Sequence, residues 1–406
     1  MLSKAEKSIL VRIFEACVLD RSVLEALPPF SAAGVVENVI RETDPEAFNK
    51  GVSDFLKTNT GKDLSRQTLL TVIRSSHVFC KNHDDTNINK KLLTFVDLFK
   101  ACEVKAHSAF KILHGADPAS LLEPKIIGPI TIYAIPRHTD QIESPFKNCK
   151  HQFREGVDRV VVEHRSMVRD QIKALEIANK AFNTLDLLIA FLLGDRNKTY
   201  AAGVMHLRFD PFQSAIITSA NGIFGGEEEF LGFRNNVDIH DLLSTDLYQG
   251  TDMSSDLISS VMDPGDEIER KISRAVEWVG EAYIEKNKAS AFLKVAVAME
   301  AMLKVDEKGL ISASIVSTIA EQCAFILGED ADDCLRIEHK VKAMYGVRSS
   351  IVHSGSSSVD DLLLQDFLDL IRKIIFKVVN LKVSLDLKNV KELQATLKKR
   401  KYSGVW

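Results

Sequence analysis

Successive helix patterns fill the last third of the chain, and they constrain its fold more than any other feature of the sequence. Apolar residues recur there at spacings of three and four, the period of helices that bury one face. Residues that begin or end helices separate the runs, such as Asp263-Pro264 before the first and Gly328 after the third. The pattern predicts a bundle of about five helices over residues 263–386.

Four of these predicted helices have a start signal, and four of them show a clear apolar face. We expect the later helices to be capped at Ser312, at Asp332 and at Ser357 or Ser358. The fourth helix is predicted to run from its cap toward Gly355. The apolar faces of the other four include Ile272 and Val279, Met299 and Leu303, Ile319 and Cys323, and Leu370 and Ile374.

The first two thirds of the chain divide into a helical part and a mixed part. Residues 1–122 keep the helical spacing and predict a helical N-terminal domain. Residues 123–262 predict an α+β middle domain, with a β-branched run at 126–135, a long helix over 157–193 and a hairpin turn at Asn221-Gly222. The predicted fold class is therefore mostly α, with this α+β domain in the middle.

Composition limits the partners that the whole surface can attract. The chain has 406 residues, enough for two or three domains at about 150 residues each. Its formal net charge of -4 exerts no overall attraction on nucleic acid, so contact with RNA requires a local basic patch or assembly of subunits. The one biased segment is Lys398-Lys399-Arg400-Lys401, a small cationic patch that we interpret as the solvated end of a short basic tail over residues 387–406.

Targeting signals and cysteine usage predict a cytoplasmic protein without a membrane partner. The start of the sequence lacks the apolar core of a signal peptide. The most apolar stretch, residues 185–194, is interrupted by Asp186 and is too short to span a bilayer. Six cysteines without a CxxC pair fit reduced thiols, and we expect no disulfides.

The segment from Arg348 to His353 combines two groups that can cleave a phosphodiester. Arginine stays protonated and its planar guanidinium matches phosphate oxygens, whereas histidine ordinarily titrates near pH ~6.5 and can move protons. Similar spacings occur at Arg159/His164 and Arg234/His240, so spacing alone does not identify a site. Only the Arg348/His353 pair lies between helix patterns and among serines and glycines.

The positions of these two residues on a continuous helix would keep their side chains apart. A separation of five residues at ~100° each places them ~140° apart around the axis and ~7.5 Å apart along it. Either the helix ends before His353, or Arg348 and His353 join different parts of a site built by two chains. Both alternatives require the fourth helix to finish near Gly355.

Three segments of this region together resemble the Apea-like branch of the HEPN superfamily. They are Arg274-Ala-Val-Glu-Trp278, Val297-Ala-Met-Glu-Ala-Met-Leu303 and Tyr345-Gly-Val-Arg-Ser-Ser-Ile-Val-His-Ser-Gly355. The resemblance covers residues 265–385 and implies a helical bundle that forms a homodimer. It also implies a metal-independent endoribonuclease, of the kind found in host defence and toxins, with Arg348 and His353 as its catalytic residues.

Elementary chemistry agrees with that implication. RNA carries its own nucleophile, the 2′-hydroxyl, so cleavage needs a base, an acid for the departing 5′-oxygen and a cation for the phosphate. Histidine can serve as base or acid, and Arg348 as the cation, but one chain supplies a single motif histidine. A symmetric dimer would bring two Arg/His pairs to one cleft.

Further side chains near the motif are candidates for binding substrate. Four hydroxyl groups lie close enough in sequence to touch a phosphate, or else serve in packing and at the helix end: Tyr345, Ser349, Ser350 and Ser354. Glu300 can orient Arg348 from the neighbouring helix, or it can pair with Arg274. We favour the pairing with Arg274.

Other candidate sites are weaker. His77, Cys80 and His83 have helical spacing, but structural zinc sites combine four ligands in tighter pairs, so we expect neither a metal nor a cofactor. A different reading places an active site in the middle domain, at His206, Asp210 or the acids of 227–229.

The leading hypothesis is an RNA-cleaving effector in antiviral defence or abortive infection. RNA is then the substrate, and residues 1–262 sense a phage-derived or protein trigger or restrain the nuclease. The alternative is a non-catalytic helical module for oligomerisation or nucleic-acid binding.

Overall fold

A computed structural model shows that the chain is mostly helical with a small antiparallel sheet region, which confirms the predicted fold class. The structure describes residues 2–19, 40–80, 87–135, 137–142, 159–195, 202–205, 212–219, 222–230, 236–243, 253–304, 315–355 and 359–403. Among them, no helix combines the length and apolar character needed to cross a bilayer.

Two compact units make up the chain. The N-terminal unit comprises Met1–Ala109 and His164–Asn179, and the C-terminal unit comprises Phe110–Glu163 and Lys180–Trp406. The second segment of the N-terminal unit is held by polar contacts, since Asp170 accepts a hydrogen bond from the Ser65 amide at 2.9 Å. Each unit therefore contains residues that are distant in sequence.

Four helices and one small strand pair form most of the N-terminal unit as far as its residues are described. They are α1 (Lys4–Glu15), β1 (Cys17–Leu19), β2 (Ile40–Glu42), α2 (Pro45–Leu56), α3 (Arg66–Cys80) and α4 (Ile88–Ala101). Their core contains Phe95, whose ring meets Phe14 and Phe55 edge-on and stacks on Phe99. A capping box of Ser3 and Glu6 begins α1. The strands β1 and β2 were not predicted within this helical region.

A four-stranded sheet follows α4 in the chain. Its strands are β3 (Lys105–Leu113), β4 (Lys125–Ile127), β5 (Ile130–Ile135) and β6 (Arg159–Val168), in the spatial order β3-β6-β5-β4. The predicted single run over 126–135 is a hairpin that turns at Gly128, where φ is 52°. The prediction of one helix over 157–193 is wrong at its start, because β-branched residues of β6 join the sheet and α5 (Gln171–Leu193) begins later.

A separate hairpin pairs β7 (Phe212–Ser219) with β8 (Gly222–Phe230) in antiparallel register. This pairing confirms the strands predicted on both sides of Asn221-Gly222. Asn221 itself lies outside the described residues.

The predicted five-helix bundle is present in the C-terminal unit, and further helices flank it. The helices are α6 (Ile239–Leu242), α7 (Met253–Met262), α8 (Glu267–Ile284), α9 (Lys288–Leu303), α10 (Ile315–Leu327), α11 (Ala331–Ser354), α12 (Asp361–Leu385) and α13 (Val390–Ser403). Helices α8 to α12 correspond to the five predicted ones. Three of them are capped by Asp266, Asp330 and Asp360, each a few residues from the predicted position, and Asn287 caps α9, for which no cap was predicted.

Close packing holds the bundle together. The rings of Phe292 on α9 and Phe367 on α12 lie 4.7 Å apart, and both side chains are fully buried. Gly280 lets α8 approach α5, since a Cβ at this position would lie 2.4 Å from the Leu187 carbonyl oxygen. Substitution of Gly280 would therefore force the backbones of α5 and α8 apart.

The described part of the predicted tail, residues 387–403, is not solvated on all sides. Residues 390–403 form α13, whose Leu393 and Leu397 are buried. The guanidinium of Arg400 is also buried and donates to the Gly328 carbonyl at the end of α10. The basic segment is thus a docked helix with one packed side.

Candidate functional site

Helix α11 carries the Arg348/His353 pair and continues through both residues. Its N-cap Asp330 accepts a hydrogen bond from the Asp333 amide at 2.8 Å. Its C-cap is Gly355, which adopts the left-handed conformation with φ 65°. The helix therefore does not end before His353, which eliminates the first of the two geometric alternatives.

His353 lies on an exposed face in the last turn of α11. Leu335, His339, Lys342 and Gly346 lie on the same face, because spacings of four and three return to one side of a helix. All five residues are exposed. The imidazole is thus accessible to a ligand or to another chain.

Arg348 projects from a different side of α11 and contacts the neighbouring helix α9. Its Nη2 atom lies 3.5 Å from Glu300 Oε1, and the two side chains are 36% and 28% exposed. Of the two roles considered for Glu300, this contact agrees with the one in which it orients Arg348. The favoured pairing with Arg274 is not observed, and Arg274 is exposed on α8.

Tyr345 lies inside the bundle one turn before Arg348. Its side chain is buried, and its hydroxyl donates to the Ala296 carbonyl at 3.5 Å. Burial raises the pKa of this phenol strongly, and the nearby carboxylate of Glu300 raises it further. Tyr345 thus holds α11 against α9. Of the two roles considered for it, phosphate binding and packing, the structure shows packing.

The motif serines occupy the outer part of the same helix. Ser349 and Ser350 are exposed, and the Ser350 hydroxyl donates to the Gly346 carbonyl at 3.2 Å. Ser354 is the last residue of α11, and its side chain lies outside the described part. Ser349 and Ser350 can therefore meet a phosphate bound at this end of the helix.

A single chain does not bring the guanidinium and the imidazole together. On a continuous helix they diverge by ~140°, and Arg348 is tied to Glu300 on its own side. Helix α11 thus offers a cation beside α9 and a proton-transfer group on its outer face. A composite site requires that a second chain bring its own pair to the first.

The N-terminal unit places His77 in a buried environment. His77 Nε2 lies 3.3 Å from Cys17 Sγ, a partner that the spacing of His77, Cys80 and His83 did not indicate. Burial, with Lys91 nearby, lowers the pKa of His77 to about 3, and burial raises the pKa of Cys17 to about 12. The pair is therefore neutral at physiological pH.

A metal cluster is not found in the described part of the chain. No group of three or more His, Cys, Asp or Glu side chains is arranged there to hold an ion. The Cys80 side chain and His83 lie outside that part, as do His206 and Asp210 of the middle domain. The acids at 227–229 lie on β8, opposite residues 213–215 of β7.

The sequence analysis did not anticipate a polar cleft of about 480 Å³ in the C-terminal unit. Lys294 lies within it, 3.0 Å from Glu285 and 3.5 Å from Glu281. The lining residues are Asn183, Leu187, Glu281, Ile284, Glu285, Lys286 and Lys294. These residues come from α5, α8, α9 and the α8–α9 connection, so no local spacing could have revealed the cleft.

Comparisons with known proteins leave the site to be judged on its own chemistry. No protein-family model, curated protein or solved structure matches the chain.

Proposed function

We propose that this chain is a metal-independent endoribonuclease of HEPN type that acts as a homodimer. The observation that carries the proposal is the layout of α11, where a half-exposed Arg348 and an exposed His353 flank one helix end. Both groups have the chemistry that RNA cleavage needs. Their divergence on one chain makes the second chain part of the site.

The outer face of α11 has a shape suited to contact with a copy of itself. Ala343, Gly346 and Ser350 place small side chains at spacings of three and four, and all are exposed. A Cβ at Gly346 would meet nothing within 4 Å, so packing within this chain does not require glycine there. Glycine inside a helix costs about 1 kcal/mol relative to alanine. Close approach of a second α11 supplies a reason for it.

The proposed cleavage uses the 2′-hydroxyl of RNA as nucleophile. One His353 takes the proton of this hydroxyl while its oxygen attacks phosphorus. The bond from phosphorus to the 5′-oxygen breaks, and the second His353 protonates that oxygen. Arg348 stabilises the negative charge on the phosphate in the transition state. The products are a 2′,3′-cyclic phosphate and a 5′-hydroxyl.

A biological setting follows from this activity as part of the proposal. An unrestrained ribonuclease would damage its own cell, so a cytoplasmic effector in antiviral defence or abortive infection fits it best. The residues before the bundle then sense a phage-derived or protein trigger, or restrain cleavage.

Cleavage in excess chelator tests the assignment directly. Purified protein is incubated with RNA, and the wild type is compared with His353→Ala and Arg348→Ala. Exposed residues on other helices supply the controls, His240→Ala on α6 and Arg270→Ala on α8. Loss of chelator-resistant cleavage in the first two variants alone, with cyclic phosphate among wild-type products, is the expected result.

The ion pair of Arg348 with Glu300 favours the alternative function, a non-catalytic module for oligomerisation or nucleic-acid binding. A paired guanidinium is already partly neutralised, and one role of such a pair is to join α11 to α9. A full-length protein that self-associates but cleaves no RNA in chelator would establish this alternative.

A further inference from the structure

Helix α13 concentrates positive charge in a chain that is acidic as a whole. Its residues 390–403 include five lysines and arginines and one carboxylate, that of Glu392. The full chain has a formal net charge of -4. Attraction to a polyanion would therefore depend on this local surface.

The inner side of α13 is fully used by packing. Leu393 and Leu397 are each 4% exposed, and the guanidinium of Arg400 is buried against the end of α10. Lys401 forms an ion pair with Glu321, also on α10. Because these contacts fix the helix on one side, its remaining side chains face outward in a defined arrangement.

Lys391, Lys398 and Tyr402 form the outward stripe of α13. Spacings of seven and four residues keep the three within about 40° around the helix axis. Both lysines are exposed, and the tyrosine side chain is 76% exposed. Two cations and an aromatic ring thus lie in a row about 16 Å long, at 1.5 Å for each residue.

This combination fits single-stranded nucleic acid better than a membrane. Lysines neutralise phosphates along a strand, and an exposed ring offers a face on which a base can stack. Helices that bind membranes instead insert a face of large apolar side chains. In α13 that apolar face, which includes Leu393 and Leu397, is already buried.

The end of α13 also lies near the helix that carries the candidate site. Both helices meet the end of α10, where Arg400 of α13 donates to the Gly328 carbonyl and Cys334 of α11 donates to the Ala324 carbonyl at 3.3 Å. From Cys334 to His353 is about 28 Å along α11. A strand of RNA held on α13 could therefore extend along α11 toward His353.

We propose that the outer stripe of α13, formed by Lys391, Lys398 and Tyr402, binds single-stranded RNA and holds it for the candidate site on α11. The inference rests on the proposed ribonuclease function only for the destination of the strand. Binding itself requires the stripe alone.

Binding is best measured in the His353→Ala background, so that RNA stays intact. The probe is a fluorescent uridine oligomer of roughly 20 nucleotides, longer than one small binding site. We expect Lys391→Gln/Lys398→Gln to raise Kd about tenfold and to reduce the slope of log K against log salt by about 1.4. We expect Tyr402→Ala to raise Kd about tenfold with an unchanged slope.

Exposed lysines on α12 provide the matched control. Lys373→Gln/Lys377→Gln removes the same charge from another helix of the C-terminal unit, and it should leave Kd unchanged. Equal weakening by the two double variants, or no weakening by either, overturns the proposal. So does loss of binding to phosphatidylserine vesicles in the α13 variant while its RNA affinity is unchanged.

The outcomes separate this inference from the nuclease assignment. If RNA is bound through α13 but never cleaved, the proposed ribonuclease activity is refuted and RNA binding by the stripe still holds. If cleavage depends on His353 and the α13 variants bind RNA with unchanged affinity, only the proposed RNA-binding role of the stripe is refuted.

Discussion

The N-terminal core and the C-terminal bundle each contain a histidine beside other reactive side chains, and they place it in opposite environments. His77 on α3 is fully buried and contacts Cys17, and burial lowers its pKa to about 3. His353 on α11 is exposed in the last turn of its helix. The first is a neutral packing residue, whereas the second is accessible to a ligand or to another chain.

This difference shows why spacing alone does not define a site. His77, Cys80 and His83 have the spacing of helix-borne ligands, yet His77 points into a core of apolar rings such as Phe14. Arg348 and His353 have a spacing that places them on different sides of a helix. This second pair is a candidate site because its side chains are accessible to solvent and to a second chain.

The largest effect is expected when wild-type subunits are mixed with subunits that lack His353. This experiment tests most directly whether the exposed histidine, unlike the buried His77, takes part in catalysis. If catalysis needs one His353 from each chain, a ninefold excess (about 9:1) of His353→Ala protein should lower cleavage per wild-type subunit about tenfold. The measurement is RNA cleavage after the subunits have exchanged. The same excess of a His353→Ala/Gly346→Trp protein, which should not pair, is expected to leave the rate unchanged; an equal loss would contradict the shared site.

Removing the buried histidine should affect stability. His77→Ala leaves a cavity and deprives Cys17 of its partner, so we expect the N-terminal unit to lose about 2–4 kcal/mol. Hydrogen exchange of peptides from α1 and α3 measures this loss. His339→Ala on the exposed face of α11 should change local stability by less than about 0.5 kcal/mol. Similar losses of stability in His77→Ala and His339→Ala would contradict the difference between a buried and an exposed histidine.

Acid should weaken the N-terminal unit through Glu6. Burial raises the pKa of this carboxyl, but hydrogen bonds from Thr60 and Ser3 outweigh it and lower the pKa to about 2. Because the folded pKa lies below the model-compound value of 4.5, the unfolded chain takes up the proton first. The stabilisation is complete above pH ~4.5 and declines toward pH ~2.

Replacing Glu6 tests this pH dependence. Glu6→Gln should cost the unit about 2 kcal/mol at pH ~7 and should flatten its acid limb, as measured by hydrogen exchange across that range. Glu46→Gln, in the first turn of α2 and exposed, is the control. An unchanged acid limb in Glu6→Gln would assign the pH dependence to other groups.

The smallest predicted effect is a change in the stability of the bundle when residues on the exposed face of α11 are substituted. In the single chain, Gly346→Ala adds a Cβ into open space, so at protein concentrations too low for a dimer it should stabilise the bundle by about 0.5–1 kcal/mol. The mirror change Ala343→Gly should destabilise it by a similar amount. Chemical unfolding monitored by circular dichroism compares them. Destabilisation by Gly346→Ala would mean that the glycine already has a packing role in the single chain.

Helices were predicted well where their signals are local. The period of apolar residues located α8 to α12, although three caps lie at Asp266, Asp330 and Asp360 rather than at the predicted residues. Several polar residues near each helix start could serve as caps, and only the packed position of the helix selects one. The pair Arg348 and His353, and their divergence on a helix, could likewise be derived from residue spacing.

Strands and docked segments were predicted less well, because they depend on distant partners. The strand β6 occupies the start of a predicted helix, since its pairing in a sheet outweighs a local pattern that suits either structure. The tail was predicted as solvated, yet α13 buries Leu397 and Arg400 on α10. Charge runs in a sequence do not show which of their residues face inward.

The sequence by itself determined the helical bundle and the presence of a cation and an acid/base group at the end of its fourth helix. Both follow from short-range periodicity and from the fixed chemistry of arginine and histidine. Only the tertiary structure decided that Glu300 holds Arg348, that Tyr345 is buried and that Lys391, Lys398 and Tyr402 face outward. Those outcomes depend on which helix faces meet, and residues far apart in the chain set those contacts together.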